Sequence, residues 1–237
     1  MSENSALCLR FDIDTFSAHH SFIAGAGSKE YSYLPRILRI ANSYGVKFQF
    51  CACGMGLKEY PVYHQLVKHA GHPIDSHLYS HSVTLTDDVK SVTEEIVPTE
   101  KEFEKYEIAW NGIGAPGMYK NGIDENYEVQ ELLAERGYQW CSTKYNASIS
   151  LDEMQPYWLN QFLLEIPCAG FSDIDYFHNA DASVEGFIRY VKELLDKANE
   201  KNLIYCIDLH AGILSKYDPE CQFVTEVVGY SLEIGVP

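Results

Sequence analysis

Apolar positions along the chain keep two alternating rhythms. Leu34, Ile37, Leu38, Ala41 and Tyr44 recur at helical spacing, Gly45 follows, and Val46-Lys47-Phe48-Gln49-Phe50 then reads as a strand. The unit repeats. Val62, Leu66, Val67 and Ala70 precede Gly71, while Val129, Leu132, Leu133 and Arg136 precede Gly137 and the run Tyr138-Gln139-Trp140-Cys141. Later, Ser183 opens a stretch bearing Val184, Phe187, Ile188, Val191, Leu194 and Leu195, ahead of the run Leu203 to Leu209. Such alternation predicts right-handed βαβ units and a mostly parallel α/β sheet, open or closed. Candidate strands near residues 6–13, 46–52, 73–76, 108–113, 138–142, 162–166, 203–209 and 222–225 are about as many as a (β/α) barrel uses, which favours the barrel. The charged stretch from Thr86 to Glu107 carries Val89, Val92, Ile96 and Phe103 on a stripe broken near Pro98, and reads as a helix with one solvated face.

Composition narrows the classes. At 237 residues, 46% hydrophobic and 22% charged, the chain is globular, and a single domain over 1–237 is expected. Thirty-four acidic against 18 basic residues give a formal charge of −16, which excludes a nucleic-acid binder and disfavours an anionic membrane surface. No apolar stretch approaches the about 18 residues of a bilayer span. The start MSENSALCLRFDID has neither a basic head nor a long apolar block, and the seven irregularly spaced cysteines read as reduced thiols, so a cytoplasmic location is expected. A homo-oligomer is compatible with this composition.

Chemistry concentrates where strands end. Asp12 and Asp14 are two apart on the first strand and share a face, an arrangement that calls for a cation or a proton between them, or else a solvated end with Asp14 as a cap. His77 and His81, four apart after the third strand, would project to one side of a helical turn and grip one ion. Two histidines and a carboxylate leave coordination positions open, the pattern of catalytic zinc or a similar divalent ion. His210 closes the late strand with Asp208 on the same face and is a candidate proton donor. Cys51 and Cys53 read as buried thiols, His19 and His20 as loop residues, and Gly25-Ala26-Gly27 lacks the Lys-Ser/Thr of a phosphate loop.

Phe-Asp-Ile-Asp at 11–14, Gly-His-Pro-Ile-Asp-Ser-His-Leu-Tyr-Ser-His at 71–81, Gly-Ala-Pro-Gly at 114–117 and Ile-Asp-Leu-His at 207–210 resemble, in order and spacing, the motifs of the polysaccharide deacetylase, or NodB-homology, family of carbohydrate esterases. That resemblance implies a distorted (β/α) barrel of about seven parallel strands and one divalent metal, usually zinc. It implies Asp12 as general base, Asp14, His77 and His81 as metal ligands, His210 as general acid and the Gly117 N–H as oxyanion donor. Tyr119 and Asp175 are candidate substrate contacts. The implied activity is N-deacetylation of an amino sugar or glycan precursor. Hydrolysis of a small amide or cyclic imide, or metal-dependent glycan binding without efficient turnover, are the alternatives. Two positions depart from the family pattern. Gly114 stands where an Arg pairs with the base, with no evident replacement nearby, and Cys141 stands where an acidic residue tunes the acid, for which Asp173, Asp175 or Asp208 are candidate substitutes.

Overall fold

The computed structural model of the chain describes residues 5–14, 27–179 and 182–237. His19, His20 and the Gly25-Ala26 pair lie outside them. Strand β1 (Ala6–Ile13) leads to helix α1 (Gly27–Tyr44), β2 (Gln49–Ala52), α2 (Gly54–Glu59), α3 (Pro61–His69) and β3 (Ile74–Ser76). Helix α4 (Val89–Lys105), β4 (Gly112–Tyr119), α5 (Tyr127–Glu135) and β5 (Trp140–Asn146) follow. Three two-residue strands, β6 (Tyr157–Trp158), β7 (Leu164–Glu165) and β8 (Cys168–Ala169), precede α6 (Asp173–Phe177), α7 (Val184–Lys201), β9 (Ile204–His210), α8 (Ala211–Tyr217) and α9 (Gln222–Glu233).

The strands form one curled sheet in the order β6-β7-β5-β4-β3-β2-β1-β9, with β8 paired to β5 and lying against β9. All pairings are parallel except β6 with β7. The mostly parallel barrel-like α/β sheet expected from the sequence is borne out as a distorted half-barrel. One expected strand is not one: residues 222–225 open α9. A short apolar run is ambiguous between strand and helix. Here Phe223, Val224, Val227 and Val228 bury a helical stripe, and the Asp218 carboxylate accepts the backbone N–H groups of Gln222 and Phe223 at the helix start.

Strand parity divides the molecule. On β1, Leu9, Phe11 and Ile13 face outward into the core beneath the helices, with Phe50 and Ala52 of β2 and Tyr205, Ile207 and Leu209 of β9. Facing inward, the register pairs Cys8 with Cys206, Arg10 with Asp208, and Asp12 with His210. Successive layers of the barrel interior are therefore two thiols, an Arg–Asp pair and an Asp–His pair. Parallel strands end at the same rim, so the last of these layers opens to the loops.

Candidate metal-dependent active site

The inward face of β1 continues through Arg10 and Asp12 to Asp14 just past the strand, all three almost wholly buried. His77 follows β3, and its Nδ1–H donates to the Gly114 carbonyl at 2.7 Å. That bond fixes the tautomer and leaves the lone pair on Nε2. His81 is four residues on, and the two rings lie 5.0 Å apart between centroids. The expected helical turn is absent. Residues 77–81 form a loop in which Leu78 (φ 58°) and His81 (φ 59°) take left-handed backbone conformations. An acid on α4 compensates this strain: the Glu95 carboxylate accepts Tyr79 N–H at 2.9 Å, Ser80 N–H at 2.6 Å and the Ser80 hydroxyl at 2.6 Å.

Asp14, His77 and His81 present donor atoms within 4.8 Å of one another. His77 Nε2 and Asp14 Oδ1 are buried without a hydrogen bond. Buried polar atoms are nearly always satisfied, so two such atoms converging with a third donor fit a divalent cation. Burial pushes the Asp14 carboxyl up to about 6, helped by the neighbouring Asp12 charge and opposed by His210, and burial lowers His77 to about 4, which keeps its ring neutral.

The missing arginine is supplied from another strand. Arg10 Nε donates to Asp12 Oδ1 at 2.8 Å and Nη2 donates to Asp12 Oδ2, a two-pronged pair, while Nη1 donates to Ser142 Oγ at 3.0 Å. Gly114 is the other half of this arrangement. A Cβ there would stand 2.7 Å from Arg10 Cζ and Nε and from Cys51 Sγ, so the glycine makes room for the guanidinium. Burial alone would raise the Asp12 carboxyl; Arg10 overrides it and holds Asp12 well below the usual carboxylate range. The expectation that nothing nearby replaces the arginine is thus corrected. An arginine two residues before Asp12, in the interior of an otherwise apolar strand, was the available signal.

On the neighbouring strand β9, His210 Nδ1 lies 2.8 Å from Asp173 Oδ1, and Asp173 Oδ2 accepts the His210 backbone N–H at 2.7 Å. Burial opposes a charged ring there, but Asp208 and Asp173 outweigh it and raise His210 well above its ordinary value. Of the three proposed substitutes for the acidic partner, Asp173 is the one bonded to His210. Cys141 has odd parity on β5 and faces outward, where its thiol donates to Glu165 Oε2 at 3.1 Å. It therefore never approaches His210.

Asp12, Asp14, His77, His81 and His210 line one cavity of about 420 Å³, with Gly117, Met118 and Tyr145 on its wall. Gly117 has φ 61°, a conformation that disfavours any side chain. Asp175 also lines it, accepting hydrogen bonds from the Tyr145 and Ser172 hydroxyls. Tyr119 is 45% exposed beside Gly117 and does not line the cavity. Trp158 stands 64% exposed on the edge strand β6, Phe177 is in the core, and Trp110 packs edge-on against Phe103.

Three donors that fit a cation, flanked by a clamped carboxylate and an imidazole whose pKa is raised, thus stand together at the rim of the parallel sheet. The polysaccharide deacetylase family model matches residues 16–122. A Mycobacterium smegmatis protein assigned to the polysaccharide deacetylases superposes with TM-score 0.75 at 18% identity, covering 99% of this chain and 85% of that one. A Pseudomonas aeruginosa PAO1 protein assigned likewise gives 0.74 at 18%, covering 96% and 85%. An allantoinase gives 0.73 at 17%, covering 96% and 84%. No curated protein sequence matches significantly. The resemblance read from the motifs is borne out: the family model and the solved structures both point to the polysaccharide deacetylases, and the structural likeness spans nearly the whole chain. Among the described residues, no helix is long and apolar enough to cross a membrane.

Proposed function

We propose that residues 1–237 form a single catalytic domain that hydrolyses amide C–N bonds other than peptide bonds. A divalent cation, zinc by the chemistry of its donors, would be held by Asp14, His77 and His81. The carrying observation is that Asp12, kept ionised by Arg10, and His210, kept protonated by Asp173, share a cavity with that triad. When bound, such a cation polarises a carbonyl and can lower the pKa of water from ~15.7 toward ~7. Asp12 is then the general base, and Arg10 fixes both its oxygens so that it takes a proton in one orientation. His210 gives its Nε2 proton to the departing amine, and Asp173 at Nδ1 sets the ring's direction and charge. The Gly117 backbone N–H serves as oxyanion donor, with Asp175 on the wall and Tyr119, beside Gly117, as substrate contacts. The seven free thiols support a reducing, cytoplasmic setting.

An N-acetylated amino sugar or glycan precursor is the first substrate reading. A small amide or cyclic imide is the second, which a cavity of about 420 Å³ would also admit. The zinc-loaded protein should be assayed on N-acetylated sugars and on a panel of small amides and imides, with Asp12→Asn as control. Turnover that depends on zinc and falls by about 10²-fold or more in the variant is expected. Equal and negligible product from both proteins across the whole panel would overturn the enzymatic reading in favour of a metal-dependent glycan binder.

A further inference from the structure

One buried ionisable group in the cavity enters the scheme above only through its charge beside His210. Asp208 lies on the inward face of β9, two residues before His210 and in register with Arg10. Its side chain is 8% exposed and lines the cavity, and its Oδ1 is buried without a hydrogen bond. The nearest cation, Arg10 Nη2, is 3.7 Å from Oδ1 and is already committed to Asp12. His210 Nε2 is 3.9 Å from Oδ2. Asp12, Asp208 and His210 could themselves hold an ion by their spacing, but the guanidinium bound to Asp12 would repel it.

Two residues along a strand correspond to about 6.6 Å, so Asp208 sits deeper in the barrel than the Asp12–His210 layer. A substrate whose bulk extends toward the mouth would turn the smaller, acyl end of its scissile amide toward this deeper position. A methyl group there would bury the carboxyl without a partner, whereas an N–H would satisfy it.

We propose that Asp208 is a specificity-determining residue that hydrogen-bonds the acyl side of the substrate, selecting ureide-type amides, in which nitrogen stands where an acetyl group has its methyl. The inference rests on the amide-hydrolase reading and selects among its substrates. Burial and the Asp12 charge push the Asp208 carboxyl up to about 8, yet either protonation state can pair with an N–H through a carboxyl oxygen.

Acetohydroxamic acid and N-hydroxyurea differ only by methyl against amino at this position. Titration calorimetry of both into the zinc-loaded protein should show N-hydroxyurea binding at least tenfold tighter. Asp208→Leu should reverse the preference. Asp208→Asn, which keeps hydrogen-bonding atoms, should retain it. A preference ratio that is the same in the wild type and the Leu variant, or two zinc ions per chain with one lost in Asp208→Leu, would overturn the assignment. Zinc stoichiometry separates the layers of the argument. One ion per chain, lost in His77→Ala, with hydroxamate binding but no selectivity, sinks the role of Asp208 alone; absence of zinc binding sinks the underlying centre and the role with it.

Discussion

Replacing Arg10 by Met retains length and apolar bulk while removing the group that holds Asp12. The guanidinium is 1% exposed and makes a two-pronged bond to the carboxylate, a 3.0 Å bond to Ser142 Oγ and a 3.4 Å bond to the Ala115 carbonyl. Removing one partner of a buried ion pair strands the other charge and costs about 3–5 kcal/mol, a large fraction of the stability of an ordinary domain. Arg10→Lys should recover part of it, since an ammonium keeps the charge but cannot fork across both oxygens. The Gly114 side is coupled. Gly114→Ala places a methyl group 2.7 Å from the guanidinium, and overpacking of this kind costs about 1–3 kcal/mol. In the double variant, the methyl no longer meets the guanidinium, so the loss should fall short of the sum of the single losses by about 1 kcal/mol or more. Urea unfolding of the four proteins measures this directly. A loss under about 1 kcal/mol in Arg10→Met, or additivity within about 0.5 kcal/mol, would refute the reading that Gly114 exists to admit Arg10.

Glu95→Ala frees the loop carrying His81 and should weaken zinc affinity by about 10–100-fold in a competition titration, while leaving the Nδ1 bond of His77 intact. Asp173→Asn removes the charge beside His210 Nδ1 and should lower kcat by about 10²–10⁴-fold with a small effect on KM, once a substrate is in hand; an unchanged kcat would exclude Asp173 as the positioning group. His64 is fully buried, its Nδ1 3.0 Å from the Tyr60 carbonyl, and burial lowers it to about 4. Between that value and its unfolded value of about 6.5 the unfolded chain binds the extra proton, so this stabilisation is present above pH 6.5 and is lost as pH falls toward 4. The contribution amounts to about 2 kcal/mol between pH 7.5 and 5, and a His64→Gln variant should show an unfolding free energy less steep in pH by that amount.

The alternation of rhythms made the parallel α/β architecture legible, because glycine stops and strand parity are local properties. The same parity put Asp12 with Asp14, and His210 with Asp208, before any contact was known. What escaped were pairings across long stretches of chain. Arg10 meets Gly114 and Ser142 more than a hundred residues away, and Asp173 reaches His210 from a different element. The His77–His81 spacing suggested a helix, whereas two left-handed residues and a distant glutamate shape that loop. Residues 222–225 misled because four apolar-rich positions do not distinguish a strand from the first turn of α9.

Arg10, Asp12 and Asp14 occupy alternate positions of one five-residue stretch, while their immediate neighbours Leu9, Phe11 and Ile13 anchor the opposite face in the core. A shift of β1 by a single residue would turn all three charges outward together. The stretch is therefore inherited or lost as a block, and grafting residues 9–14 with a glycine at the facing position of β4 should carry the relocated clamp into a related barrel as one transferable cassette.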